Sequence, residues 1–125
     1  MKIYNVGLDI GSTTAKLVVS CEGNTVFSEY ARHMAKTREK SLELLKKARP
    51  LMTDGTVKIM ISGSAGLGLS NAANIPYIQE VFATGELVKN MSPDTDIVVE
   101  LGGEDAKIIY FKGALDERMN GSCAG

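Results

Sequence analysis

Two carboxylates in this chain stand just ahead of glycine turns: Asp9 before Gly11-Ser12-Thr13-Thr14, and Glu100 before Gly102-Gly103-Glu104-Asp105. That combination suits a nucleoside triphosphate bound with magnesium. Glycine lets the backbone approach a polyphosphate closely, and successive N–H groups can then point at its oxygens. Gly11, Gly102 and Gly103 supply that freedom, while Ser12, Thr13 and Thr14 add hydroxyl donors. Magnesium keeps most of its waters and needs only one or two carboxylates, a role for Asp9 and Glu100 at strand ends. Hydrolysis also requires a group that orients the attacking water, and Glu104 or Asp105 fits that task.

The two turns belong to one repeated pattern. Asp9-Ile-Gly-Ser-Thr-Thr-Ala-Lys-Leu-Val-Val19 aligns without a gap on Glu100-Leu-Gly-Gly-Glu-Asp-Ala-Lys-Ile-Ile-Tyr110. Each copy reads as a strand, a tight polar turn and a returning strand. Lys16 and Lys107 fall in the returning strands, where they either offset phosphate charge or face solvent at the rim. A single acid-x-Gly-small turn is a common hairpin feature. Two of them, each with an acid at the end of an apolar strand, serve a sheet poorly unless the acids have a ligand or a partner.

The elements around these turns follow from composition and periodicity. Residues 3–10, 15–21 and 25–32 read as three strands of a meander, the second apolar enough to be buried on both faces, with Glu22-Gly23-Asn24 as a compact turn. Thr37 is placed to cap a helix, Glu39 lies in its first turn, and Leu42, Leu45 and Ala48 with Leu44 form its apolar stripe. Pro50 ends that helix. A strand over 56–61 runs into Ser62-Gly-Ser-Ala-Gly-Leu-Gly68 and a short helix, Pro76 interrupts the chain, and 80–90 is helical in composition. Strands 97–101 and 106–111 complete the second hairpin, with Lys112-Gly113 as its trailing turn. The order β-β-β-α-β-α-α-β-β predicts an α/β fold with a mixed sheet of the ribonuclease-H-like kind, as in one lobe of an actin-like ATPase.

Other chemistries are weakly supported. No Gly-x-x-x-x-Gly-Lys-Ser/Thr occurs, and Gly63, Gly66 and Gly68 come in the wrong order for a dinucleotide fingerprint, so they read as a strand-to-helix turn. His33, the only histidine, has no neighbouring cysteine or paired acid and reads as the end of a strand. Cys21 lies in an apolar strand as a buried thiol, and Cys123 on spacing alone has no assigned role. A net charge of -1 spread over 125 residues gives no footprint for nucleic acid or an anionic membrane. With 44% hydrophobic residues the chain can bury one ordinary core. It carries neither a membrane-length apolar run nor a signal-peptide pattern, so a cytoplasmic setting is expected.

Three motifs together carry a family resemblance. Asp9-Ile-Gly-Ser-Thr-Thr-Ala-Lys16, Glu100-Leu-Gly-Gly-Glu-Asp-Ala-Lys107 and Met119-Asn-Gly-Ser-Cys-Ala-Gly125, in that order and at these distances, resemble the activators of 2-hydroxyacyl-CoA dehydratases and the related ATPase subunits of benzoyl-CoA reductase. Ser62-Gly-Ser-Ala-Gly66 also resembles the family's Thr-Gly-Tyr-Gly segment. The family lies in the actin, sugar-kinase and heat-shock-chaperone ATPase superfamily. The resemblance implies an ATP-driven electron donor in which ATP and Mg2+ serve a homodimer, or fused tandem modules, sharing one 4Fe-4S cluster. Each subunit of such a homodimer gives two cysteines, and Cys123 matches the first of them. It further implies a CoA-ester dehydratase or reductase as partner and reduced ferredoxin or flavodoxin as electron source.

This sequence departs from the family pattern at two positions, Glu100 where many short activators have Asp and Glu104 where they often have Gln. It also ends at Gly125, where family members continue into a second lobe. Residues 1–118 are therefore expected to form a nucleotide-binding lobe and 119–125 to begin a cluster-ligand or interdomain segment. On this reading the isolated lobe binds ATP weakly or not at all and carries no cluster. Two rivals are a sugar or acetate kinase lobe, which has no use for Cys123, and a non-catalytic actin-like assembly module, which tolerates loss of both acids.

Overall fold

In the computed structural model, the backbone is described for residues 1–101, 106–111 and 116–120, which fall into two compact units, 1–78 and 79–125. The first unit is built on β1 (Lys2–Ile10), β2 (Thr14–Cys21), β3 (Asn24–Arg32) and β4 (Gly55–Ser62). Their order is β3-β2-β1-β4, with β1 antiparallel to β2 and parallel to β4, so the sheet is mixed as expected. Alternation decides its inner face. Tyr4, Val6, Leu8 and Ile10 of β1 and Ala15, Leu17, Val19 and Cys21 of β2 are buried together with Ile61 of β4. Each fully buried aliphatic side chain there is worth about 1.5–3 kcal/mol of transfer free energy.

Strand β2 corrects one expectation. Lys16 and Val18 are exposed between the buried positions, so β2 is covered on one face and open on the other. Within this unit α1 (Thr37–Ala48) packs on the inner face, and the polar Lys16 takes the outer one. The turn between β2 and β3 is a tight hairpin with Glu22 and Gly23 at φ of 52° and 81°, matching the right-handed twist of the strands it joins.

Helix α1 begins one residue away from its expected cap. Thr37 is its first residue rather than the cap; Lys36 precedes it, without a side-chain capping bond, and Glu39 occupies the first turn. The buried stripe is Ser41, Leu44 and Ala48, with Leu45 at its margin, while Leu42 is exposed. A serine is tolerated inside because its hydroxyl donates to the Thr37 carbonyl at 2.7 Å. Pro50 falls at the start of a single 3-10 turn, Arg49–Met52, that ends the helix. After β4, α2 (Leu67–Ala73) stops at Asn74 in the left-handed conformation, and Pro76–Ile78 lies against the end of β4 through Ile61 N–H to Pro76 O and Ile78 N–H to Ile61 O, each 2.9 Å.

The second unit holds α3 (Glu80–Met91) and an antiparallel sheet of β5 (Ile97–Leu101), β6 (Ala106–Tyr110) and β7 (Asp116–Asn120) in that order. Ile109 is buried. Strand β7 was not anticipated, because Asp-Glu-Arg-Met-Asn lacks the β-branched and aromatic residues that mark strands. The expected trailing turn at Lys112-Gly113 lies outside the described residues.

Candidate functional site

Register turns the sequence repeat into a structural one. In the first hairpin Asp9 pairs with Lys16 and Ile10 with Ala15; in the second Glu100 pairs with Lys107 and Leu101 with Ala106. Both copies therefore set an acid and a lysine at paired register positions of antiparallel strands, followed by one more pair. Gly102, Gly103, Glu104 and Asp105 of the second turn lie outside the described residues, as does Cys123. Glu100 is half-buried at the end of β5.

In the first hairpin the side chains are placed by three neighbouring strands. Asp9 is the register partner of Lys16 on β2 and of Ser62 on β4, so the three residues form one row across the sheet. Lys16 Nζ donates to Asp9 Oδ2 at 3.1 Å, and the Ser62 hydroxyl donates to Asp9 Oδ1 at 2.9 Å. Each carboxylate oxygen thus has one donor, which fixes the plane of the group and leaves lone pairs for metal-bound water. Asp9 is about a third exposed, open enough to meet a hydrated cation. Among the described residues no cluster of His, Cys, Asp and Glu could hold a metal ion on protein ligands alone. A water-held magnesium fits the single carboxylate that is present.

The turn itself is held at its base and open at its tip. Gly11 N–H donates to Thr14 O at 2.8 Å. The Ser12 and Thr13 N–H groups have no acceptor among the described residues, and Ser12 is exposed. An added Cβ at Gly11 would come no closer than 3.7 Å to Thr14 O, an ordinary contact, so the fold does not itself require glycine there. The space that Gly11 leaves is available to a ligand that must reach the backbone. Gly63 differs: at φ +98° its Cβ would lie 2.2 Å from the Ile10 carbonyl, so the turn after β4 is pressed against the end of β1. Ala65 N–H also donates to Ile10 O at 2.9 Å, and Tyr77 OH to Gly63 O at 2.9 Å. Gly63 and Gly66 serve a strand-to-helix turn, as expected.

Two residues of this site escaped the sequence reading. Ser62 reads in sequence only as a turn residue, because nothing local reveals that β4 runs parallel to β1 in the register that sets its hydroxyl on Asp9. His33 reads in sequence as a strand end. It does follow β3, but it is buried, and its Nε2 lies 2.8 Å from the Gly11 carbonyl. The turn after it, closed by Lys36 N–H to His33 O at 2.7 Å, carries Met34 and Ala35 at φ of 51° and 64°. Left-handed conformations of residues other than glycine cost on the order of 1–3 kcal/mol each and collect at functional sites.

No family model matches the chain. It is 30% identical over 128 aligned positions to a 2-hydroxyisocaproyl-CoA dehydratase activator of Clostridioides difficile, covering 98% of this chain and 47% of that protein. Among solved structures the chain is similar to component A of the (R)-2-hydroxyglutaryl-CoA dehydratase of Acidaminococcus fermentans, with TM-score 0.75 and 22% identity over 98% of this chain and 49% of that one. It is also similar to the ethanolamine utilization protein EutJ of Carboxydothermus hydrogenoformans, with TM-score 0.68 and 18% identity over 95% and 52% of the two chains. An Aquifex aeolicus member of the Ppx/GppA family matches with TM-score 0.61 and 13% identity over 97% and 52%. These structures show the fold of the chain, a mixed α/β sheet of the actin-like ATPase kind. The chain spans about half the length of the relatives it matches. No helix among the described residues is long and apolar enough to cross a membrane.

Proposed function

We propose that this chain supplies the phosphate-binding half of a MgATP-hydrolysing activator that delivers a low-potential electron to a CoA-ester dehydratase or reductase. The observation that carries the reading is the Asp9 carboxylate, oriented by Ser62 and Lys16 beside a turn whose Ser12 and Thr13 N–H groups have no acceptor among the described residues. Those N–H groups and the hydroxyls of Ser12, Thr13 and Thr14 donate to phosphate oxygens, and Gly11 lets the phosphate come close. Lys16 is within reach of both Asp9 and an incoming phosphate, so it offsets charge as the nucleotide arrives. Asp9 would hold waters of a magnesium ion, which would supply charge stabilisation at the terminal phosphate. Glu100, Gly102, Gly103, Glu104 and Asp105 serve the second turn, with Glu104 or Asp105 orienting the attacking water.

The electron-transfer part rests on Cys123 and on the relationship to the dehydratase activators. We assign Cys123 as one thiolate ligand of a 4Fe-4S cluster shared in a homodimer or between fused modules, reduced by ferredoxin or flavodoxin in the cytoplasm. Residues 1–118 form the nucleotide lobe in this proposal, and 119–125 begin the cluster segment. Intact protein prepared without oxygen should contain iron and give the paramagnetic signal of a reduced 4Fe-4S cluster, and Cys123→Ala should remove both. Iron and signal that survive the substitution would take Cys123 out of the ligand set. ATP-dependent phosphorylation of a sugar or acetate by the same protein would support a kinase instead.

A further inference from the structure

Among the described residues, His33 is the one buried ionisable side chain in contact with the Gly11–Thr14 turn, and it grips that turn twice. Its backbone N–H donates to the Thr13 carbonyl at 3.1 Å, and its ring reaches the Gly11 carbonyl at 2.8 Å. The ring's tautomer follows from its other nitrogen. Ala35 N–H donates to Nδ1 at 3.1 Å, so the ring proton sits on Nε2 and Nε2 donates to Gly11 O. The left-handed Met34 and Ala35 bring the Ala35 N–H back to Nδ1, so the strained turn and the ring contact form one device.

A trans peptide is planar, and its C=O and N–H point in opposite directions. With the Gly11 carbonyl drawn toward buried His33, the Ser12 N–H of the same peptide must face the other way. Ser12 is exposed, and that N–H has no acceptor among the described residues. If the Gly11–Ser12 peptide were free to rotate, the carbonyl oxygen could turn toward the same space and repel an anion. We propose that His33 is a positioning residue for phosphate recognition, which locks the Gly11–Ser12 peptide with its N–H presented to the ligand. The proposal rests on the phosphate reading of the Gly11–Thr14 turn given above.

The test uses the intact protein with three substitutions. His33→Gln keeps an amide donor at about the reach of Nε2, His33→Asn keeps a donor that falls short, and His33→Phe fills the space with none. All three keep the backbone bond to Thr13. Because a phosphate contact made equally in the ground and transition states appears in KM, His33→Phe and His33→Asn should raise the KM for MgATP by about tenfold and leave kcat within about threefold. His33→Gln should return KM to within about threefold of the parent. In 15N-labelled protein, MgATP should shift the Ser12 amide resonance in the parent and His33→Gln but not in His33→Phe. Should His33→Phe fail to fold, the contrast between Gln and Asn decides the matter. A parent-like KM and Ser12 shift in both Phe and Asn would overturn the proposal while leaving the phosphate reading intact. A parent protein that neither binds nor hydrolyses MgATP would overturn the phosphate reading, and this inference with it.

Discussion

The Ser62 hydroxyl donates to Asp9 Oδ1 at 2.9 Å, and the two residues are register partners across the parallel strands β4 and β1. A residue 53 positions away in sequence thus fixes the carboxylate on which the phosphate reading depends. A hydrogen bond to a charged group is worth about 1.5–3 kcal/mol. Ser62→Ala should therefore lower kcat for MgATP hydrolysis by about tenfold and raise the magnesium concentration needed for half-maximal rate, whereas Ser62→Thr should restore both. Steady-state rates across a magnesium titration measure this.

Gly11 and Gly63 should separate ligand demands from folding demands. Gly63→Ala places a Cβ against the Ile10 carbonyl at a positive φ and should destabilise the protein by about 2 kcal/mol or more. Gly11→Ala meets only an ordinary contact and should change stability by no more than about 0.5 kcal/mol, yet weaken MgATP binding. Denaturant unfolding and nucleotide titration on the two variants give the comparison.

The helix phase makes a third prediction. Leu44 is fully buried and Leu42 about half exposed, so Leu44→Ala should cost about 2–5 kcal/mol, and Leu42→Ala much less. Equal losses at the two positions would mean that α1 presents a different face to the sheet.

Charged pairs away from the site predict how stability varies with pH. Tyr4 OH donates to Asp54 Oδ1, and Lys2 Nζ lies 3.3 Å from Asp54 Oδ2; the tyrosine bond first, then the lysine, hold the Asp54 carboxyl below its ordinary range. Lys40 lowers Glu43 in the same way. A lowered carboxyl contributes stability that is complete above its unfolded pKa and is lost as pH falls through its lower folded value. Asp54 in turn raises Tyr4 and Lys2, and Glu29 raises Lys47. Those contributions are complete below the unfolded values and are lost as pH rises through the higher folded ones. Melting temperature should be level near neutrality and fall at both ends, and Asp54→Asn should shallow the acid side. An unchanged acid slope would remove Asp54 from the account.

Local chemistry made much of this fold legible. Glycine-bearing polar stretches after apolar runs located both hairpins, Pro50 located the end of α1, and the alignment of Asp9 with Glu100 gave both copies the same order of strand, turn and returning strand; that the acid pairs with the lysine in each copy came from the register. What escaped was set by tertiary partners. Ser41 belongs to the buried stripe because Thr37 O satisfies its hydroxyl, whereas apolar counting favoured Leu42. The roles of Ser62 and His33 depend on which strand lies beside β1 and on a turn with two left-handed residues, and neither has a pattern in sequence.

The most direct measurement is MgATP hydrolysis by the intact protein carrying Asp9→Ala. If Asp9 positions the hydrated magnesium at the phosphate turn, turnover should fall by about two orders of magnitude or more while the melting temperature stays close to the parent's. Turnover within a few-fold of the parent would contradict that role and favour an assembly module that keeps the fold without its chemistry.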